Sequence, residues 1–260
     1  MTTLIDCPQS SRGQWSFRLF GVPVHVKFWF WITVVILGGN REAGGLVIWA
    51  AVCFFSILLH ELGHVYAFRA FGERAEVVLY GWGGLAVPDR PVRTPLAQFV
   101  VALAGPAAGF GLAGLAMAAA WVSGATTHFG FHMFLPTLSA WPALAGYTEY
   151  QSLPSFHWYM LLNDLLFVNF YWGLVNLLPV FPLDGGNASR AVFEQHDALR
   201  GKRHALILSA IVAAAVALLG LGGRSLYMAV MFGILAVSSL HALQSNPHRV
   251  SPRPYRSWRG

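Results

Sequence analysis

Two histidines and a glutamate stand close together in the apolar run Leu58-Leu59-His60-Glu61-Leu62-Gly63-His64-Val65-Tyr66. On an α-helix, positions i and i+4 lie on one face a turn apart, so His60 and His64 can present two imidazoles to one metal ion. Glu61 lies one residue on from His60, near enough to take a proton from water on that ion without binding the ion itself. Water needs such help, because zinc lowers its pKa from about 15.7 to about 7, where a carboxylate can finish the deprotonation. The chemistry implied is attack of hydroxide on a peptide carbonyl, with His60 and His64 as ligands and Glu61 as general base. The competing reading is a hydrogen-bonded polar cluster between helices. Against it stands the setting: a charge at the middle of a membrane helix costs about 2.5–3.5 kcal/mol, so such groups usually face a cavity and carry function.

Zinc takes a third protein ligand and keeps a fourth position open. The best candidate is Asp184, at the end of Asn176-Leu177-Leu178-Pro179-Val180-Phe181-Pro182-Leu183-Asp184-Gly185-Gly186. Pro179 and Pro182 do not sit comfortably in a regular helix. A span should therefore break there and expose backbone, which a membrane tolerates only around a cavity or within packed protein. If the span that carries the histidines runs inward from about residue 46, His60 and His64 lie roughly 20–27 Å along it, in the inner half of the bilayer. The span before Asp184 also runs inward. The alternative for Asp184 is a helix cap or an Asp-Gly turn.

These residues must be positioned by membrane-spanning elements. The 260-residue chain is 56% apolar and 11% charged, whereas soluble domains carry about 25% charged residues. Apolar runs near 22–39, 45–69, 95–122, 157–179, 204–222 and 224–244 predict about six transmembrane helices. The stretch 73–94, flanked by charges, predicts a short β-hairpin at the inner membrane surface, with Val77-Val78-Leu79-Tyr80 as strand and Gly81-Trp82-Gly83-Gly84 as turn. The expected architecture is an all-α polytopic membrane protein with that one hairpin, a single membrane-embedded domain over 1–260. With the N-terminus in the cytosol, only Arg41 and Arg224 fall in outside loops, which is what the positive-inside rule asks for. Both termini and the candidate site are then cytosolic. The net charge of +6 belongs to this asymmetry, not to a nucleic-acid surface with interleaved aromatics, and the basic tail suits anionic headgroups of the lipid bilayer. Cys7 and Cys53 are too few and too far apart for a disulfide framework, and the N-terminus lacks the pattern of a secretory signal.

Together these features resemble the site-2 protease family of intramembrane zinc metalloproteases. The likeness covers most of the chain: the HExxH motif at His60 to His64; an NxxPxxxxDG-type motif at Asn176, Pro179, Asp184 and Gly185; and Gly105-Pro106-Ala107-Ala108-Gly109, with Gly109 where many members have Asn. Phe71-Gly72, the hairpin with Gly83-Gly84, and Gly21-Val22-Pro23-Val24-His25-Val26 before the first span add to it. The resemblance implies one catalytic Zn2+ held by His60, His64 and Asp184, with Glu61 activating water and no further cofactor. It implies that Asn176 bonds the substrate carbonyl or oxyanion, an interhelical hydrogen bond being the alternative. The hairpin is either an edge for an unwound substrate strand or a plain turn. The substrate implied is a single-span membrane protein or a signal-peptide remnant, and a compact branch without PDZ or CBS domains is expected. Zinc transport or sensing, or a catalytically silent adaptor, would use the same ligands; a transporter would place polar groups along several spans. Gly105, Gly109, Gly111 and Gly114 read as a helix-packing face, His128, His132 and His157 as surface or packing residues, and Asp164 and Asn169 as interhelical or cavity-lining groups.

Overall fold

The computed structural model describes residues 13–39, 41–122 and 156–244. Their order is β1 (Gln14–Leu19), β2 (Val22–Lys27), α1 (Phe28–Gly38), α2 (Ala43–Ala70), β3 (Ala75–Tyr80), β4 (Gly83–Pro88) and α3 (Pro95–Val122). Then follow α4 (Phe156–Leu166), a π-helical turn (Phe167–Tyr171), α5 (Trp172–Asn176), α6 (Asp184–His196), α7 (Gly201–Gly222) and α8 (Leu226–Gln244). The expected outside loop up to residue 155, with His128 and His132, lies outside the described residues, as do Cys7 and the basic tail beyond 244.

Among the described residues four helices, α2, α3, α7 and α8, are long and apolar enough to cross a membrane. They leave Leu115, Trp121, Ile211, Leu218 and Val237 exposed, which suits a solvent of lipid rather than water. The two other expected spans take a different form. Residues 22–39 are not one helix, because Val22-Pro23-Val24-His25-Val26-Lys27 alternates with period two. Val22, Val24 and Val26 are buried as the inner face of a strand. Only the 11 residues of α1 remain helical. Residues 156–176 do form a helical run, interrupted by the π-helical turn.

The expected hairpin is half of a larger sheet. Four strands lie in the order β1-β2-β3-β4, with β2 parallel to β3 and the outer pairs antiparallel. Val24 and Val77 sit in register across the central pair. Their side chains, with Val22, Val26 and Leu79, pack on Leu58, Leu62 and Val65 of α2 in one core. Arg69 near the end of α2 donates to the Gly21 carbonyl in the β1–β2 turn at 3.0 Å. At the other end, Trp49 Nε1 donates to the Val34 carbonyl of α1 at 2.9 Å. The sheet therefore flanks the C-terminal half of α2 and α1 flanks its N-terminal half.

The run 156–176 is fixed to α2 by buried polar groups. Arg41 donates two bonds, 2.8 and 2.9 Å, to the carboxylate of Asp164, and its guanidinium stacks on Trp49. Asn169, in the π-helical turn, donates to Ser56 Oγ at 2.8 Å, one helical turn before His60. Asp164 is fully enclosed while Arg41 retains some exposure, so the two partners are not equivalent. Arg41→Met should leave a buried carboxylate unpaired, a loss of about 3–5 kcal/mol. Asp164→Asn should cost less, because the freed guanidinium can reach solvent. Thermal unfolding in detergent checks the order of the two.

Candidate metal centre

His60, Glu61 and His64 lie in the middle of the C-terminal half of α2, and Asp184 is the first residue of α6. The chain between α5 and α6 is non-helical because Pro179 and Pro182 supply no N–H and do not fit a continuing helix. This break lets α6 start beside α2. His60 Nε2 stands 3.0 Å from Asp184 Oδ2, His64 Nε2 3.3 Å from Asp184 Oδ1, and the two Nε2 atoms 3.2 Å apart. Helix capping does not account for Asp184: the N-cap of α6 is Leu183, with no side-chain cap bond.

The donor set fits a zinc ion. Three donors at about 2.0–2.2 Å on a tetrahedral ion stand about 3.3–3.6 Å from one another, and the separations here, each imidazole measured to its own oxygen of the Asp184 carboxylate, are within a few tenths of that. Two imidazole nitrogens and one carboxylate oxygen are borderline and hard donors of the kind zinc accepts. His64 is also pre-set in orientation. Its Nδ1 lies 2.7 Å from the Val101 carbonyl of α3; a carbonyl only accepts, so Nδ1 carries the proton and the Nε2 lone pair faces the site. Such second partners fix the tautomer and the ring plane of metal-binding histidines.

Two glycines make the close approaches possible. A Cβ at Gly105 of α3 would collide with the His64 ring, and one at Gly84 of β4 would collide with the Glu61 carboxylate. Gly105 thus belongs to the site and not merely to a packing face. Gly109 lies against Asn169, whereas Gly111 and Gly114 have open space beside them among the described residues. Glu61 is buried and takes a backbone hydrogen bond from Ala86, so β4 holds the carboxylate in place. Gly105→Ala should push the His64 ring off its position and weaken zinc binding at least about tenfold, in the range seen when groups supporting a ligand are removed. Competition with a chromophoric chelator measures this.

Sequence reasoning missed Ala86 and Val101 as parts of the site, and named Gly84 for the hairpin but not for its contact with Glu61. A glycine inside a strand is a signal of close backbone approach, and Gly83-Gly84 offered it. The roles of Ala86 and Val101 are carried by main-chain atoms, which any side chain would supply. Asn176 is the last residue of α5, and its side chain makes no hydrogen bond among the described residues.

Comparison with known proteins decides the family. The profile of peptidase family M50 matches residues 48–219, a stretch that includes both histidines, Glu61 and Asp184. The chain belongs to peptidase family M50. It is 25% identical over 234 residues to a zinc metalloprotease of Methanocaldococcus jannaschii, covering 88% of this chain and 56% of the relative. A Mycobacterium tuberculosis protein assigned as a zinc metalloprotease is 34% identical over 182 residues, 69% of this chain and 39% of its own length. One from Synechocystis, with the same kind of assignment, is 30% identical over 194 residues, 68% and 43%. The chain thus spans about half the length of the curated relatives it matches. The solved site-2 protease from Methanocaldococcus jannaschii shares the fold, with TM-score 0.54 and 20% identity, over 88% of this chain and 95% of that one. With four apolar helices of spanning length, this M50 member is an integral membrane protein.

Proposed function

We propose that this chain is an intramembrane zinc endopeptidase that hydrolyses a peptide bond of a single-span membrane protein or of a signal-peptide remnant. The observation that carries the proposal is the cluster of His60, His64 and Asp184 with the buried Glu61 beside it, three of the four on the apolar helix α2. In this reading His60, His64 and Asp184 hold one zinc ion. When bound, zinc supplies Lewis acidity that makes water a usable nucleophile near neutral pH and polarises a carbonyl.

The protein's own residues do the rest. Glu61 takes a proton from water as oxygen bonds to the peptide carbon, and returns it to the nitrogen as the carbon–nitrogen bond breaks. The Ala86 hydrogen bond and the absence of a Cβ at Gly84 hold the carboxylate at one place during both transfers. Asn176, whose amide makes no hydrogen bond among the described residues, is proposed to bond the substrate carbonyl or oxyanion. Strand β4 is one edge of the sheet and the one that carries the Glu61 contacts, so an unwound substrate segment can pair along it in the strand-addition mode. A helical peptide bond is shielded by its own hydrogen bonds, so weak helix formers such as Gly or Asn near the cut should favour cleavage.

We further propose that residues 1–260 form one membrane-embedded domain with six passes, in which β2 and α1 act together as the first. Laid end to end, a six-residue strand and an 11-residue helix would reach about 36 Å, against about 30 Å for the bilayer core. The run 156–176 is the fourth pass. Arg69, Arg74, Arg90, Arg93, Arg200, Lys202 and Arg203 then gather on the cytosolic side with the site, leaving Arg41 and Arg224 outside. The test is cleavage of a model single-span substrate by the purified chain in detergent or vesicles. Chelation should abolish cleavage and stoichiometric zinc should restore it; cleavage that persists after complete metal removal would sink the proposal.

A further inference from the structure

The turn that delivers Asp184 has a backbone requirement that only a distant helix meets. Pro179 and Pro182 have no N–H. The Val180 N–H folds back on the Leu178 carbonyl at 2.6 Å, and the Leu183 N–H on the Val180 carbonyl at 2.8 Å. The Phe181 N–H leaves the turn altogether and donates to Ser209 Oγ on α7 at 2.8 Å. Ser209 Oγ in turn lies 2.8 Å from Ser239 Oγ on α8, and the Ser239 hydroxyl donates to the Leu235 carbonyl at 2.9 Å. Each hydroxyl has one proton. With the Ser239 proton committed to Leu235, Ser209 must donate to Ser239 and accept from Phe181, so the direction of every bond in the chain is fixed.

Both serines are fully buried, Ser209 at 1% and Ser239 at 0% exposure. A serine in an apolar helix commonly bonds the carbonyl one turn back, as Ser239 does. Ser209 instead turns across to the neighbouring helix and to the turn. Beside it, Val180 is buried against Ala213, Phe232 and Ala236 of α7 and α8. The turn is therefore docked by one apolar and one polar contact, the polar one three residues before Asp184.

We infer that Ser209 is a positioning residue for Asp184, holding the proline turn through the Phe181 N–H so that the carboxylate meets His60 and His64. Ser239 orients the Ser209 hydroxyl. The inference rests on Asp184 being a metal ligand. Without the Ser209 oxygen the Phe181 N–H loses its acceptor, and the turn can relax away from α7, carrying Asp184 with it.

The test is the zinc dissociation constant of the full chain in detergent, by chelator competition, with the visible spectrum of the cobalt(II) form as a readout of ligand geometry. Ser209→Ala should bind zinc at least about tenfold more weakly, as expected for loss of a supporting group, and change the cobalt bands. Ser239→Ala should stay within about threefold of the native chain, because the Phe181–Ser209 bond survives it. Ser209→Cys leaves no cavity and is only slightly larger, but offers a weak acceptor; it should also bind zinc more weakly and serves if the alanine variant does not fold. Native zinc affinity and native cobalt bands in Ser209→Ala, or in Ser209→Cys, overturn the inference. An equal loss in Ser239→Ala also overturns it, since general loosening of the α7–α8 pair would then explain both. If the native chain itself binds no zinc, the metal-centre reading has failed, a result distinct from equal binding by native and variant.

Discussion

Glu61→Gln is expected to reduce cleavage by at least about three orders of magnitude, at the upper end of what a general base contributes, while zinc content stays at that of the native chain. The reason lies in how the site divides its work. His60, His64 and Asp184 form the donor triangle, whereas Glu61 lies off it, buried and held by Ala86 of β4. An amide is nearly isosteric with the carboxylate, so the close fit against Gly84 survives, but it cannot accept a proton. Zinc analysis and the cleavage assay, on the same preparation, separate the two roles. Full activity in the zinc-loaded variant would remove Glu61 from the chemistry. Loss of zinc together with activity would mean that Glu61 belongs to the ligand set and not to proton transfer.

How much was legible beforehand depended on whether a contact was local. The spacing of His60 and His64 fixes their common helical face whatever surrounds them, and two prolines in four residues mark a break without reference to the rest of the chain. The remoter link, that Asp184 arrives beside the histidines, needed only the count of passes between them. Four of the six expected spans are helices of spanning length, and residues 22–39 divide instead into a strand and a short helix. Residues 22–39 are mostly apolar, and that masked a six-residue alternation in which Pro23, His25 and Lys27 interleave with three buried valines, the evidence for a strand. A hydropathy window averages over about 19 residues, whereas a strand of this length announces itself over only six. The parallel pairing of β2 with β3 joins segments some fifty residues apart and has no local signature. The same holds for Val101 on His64 and for Ser209 on Phe181, where at least one partner is a backbone atom that carries no mark in the sequence.

Asp184→Asn is expected to weaken zinc binding by more than the roughly 10–100-fold that follows loss of a supporting group. The amide keeps the size and one oxygen, but its charge is gone and its nitrogen cannot ligate. Two neutral imidazoles would then have to hold a dication without a compensating anion in a poorly solvated site, where charge is expensive. A ligand that binds only the folded state at 100 times its dissociation constant stabilises that state by about 2.7 kcal/mol. The native chain should therefore gain thermal stability on zinc addition, and Asp184→Asn should gain much less at the same zinc concentration. Zinc titration of melting temperature measures this. The competing account of the geometry is that Asp184 serves as a hydrogen-bond partner that orients His60 and His64, a task an amide can partly perform. In that case the variant would respond to zinc almost as the native chain does and would give the native cobalt bands, and the third ligand would have to be sought elsewhere.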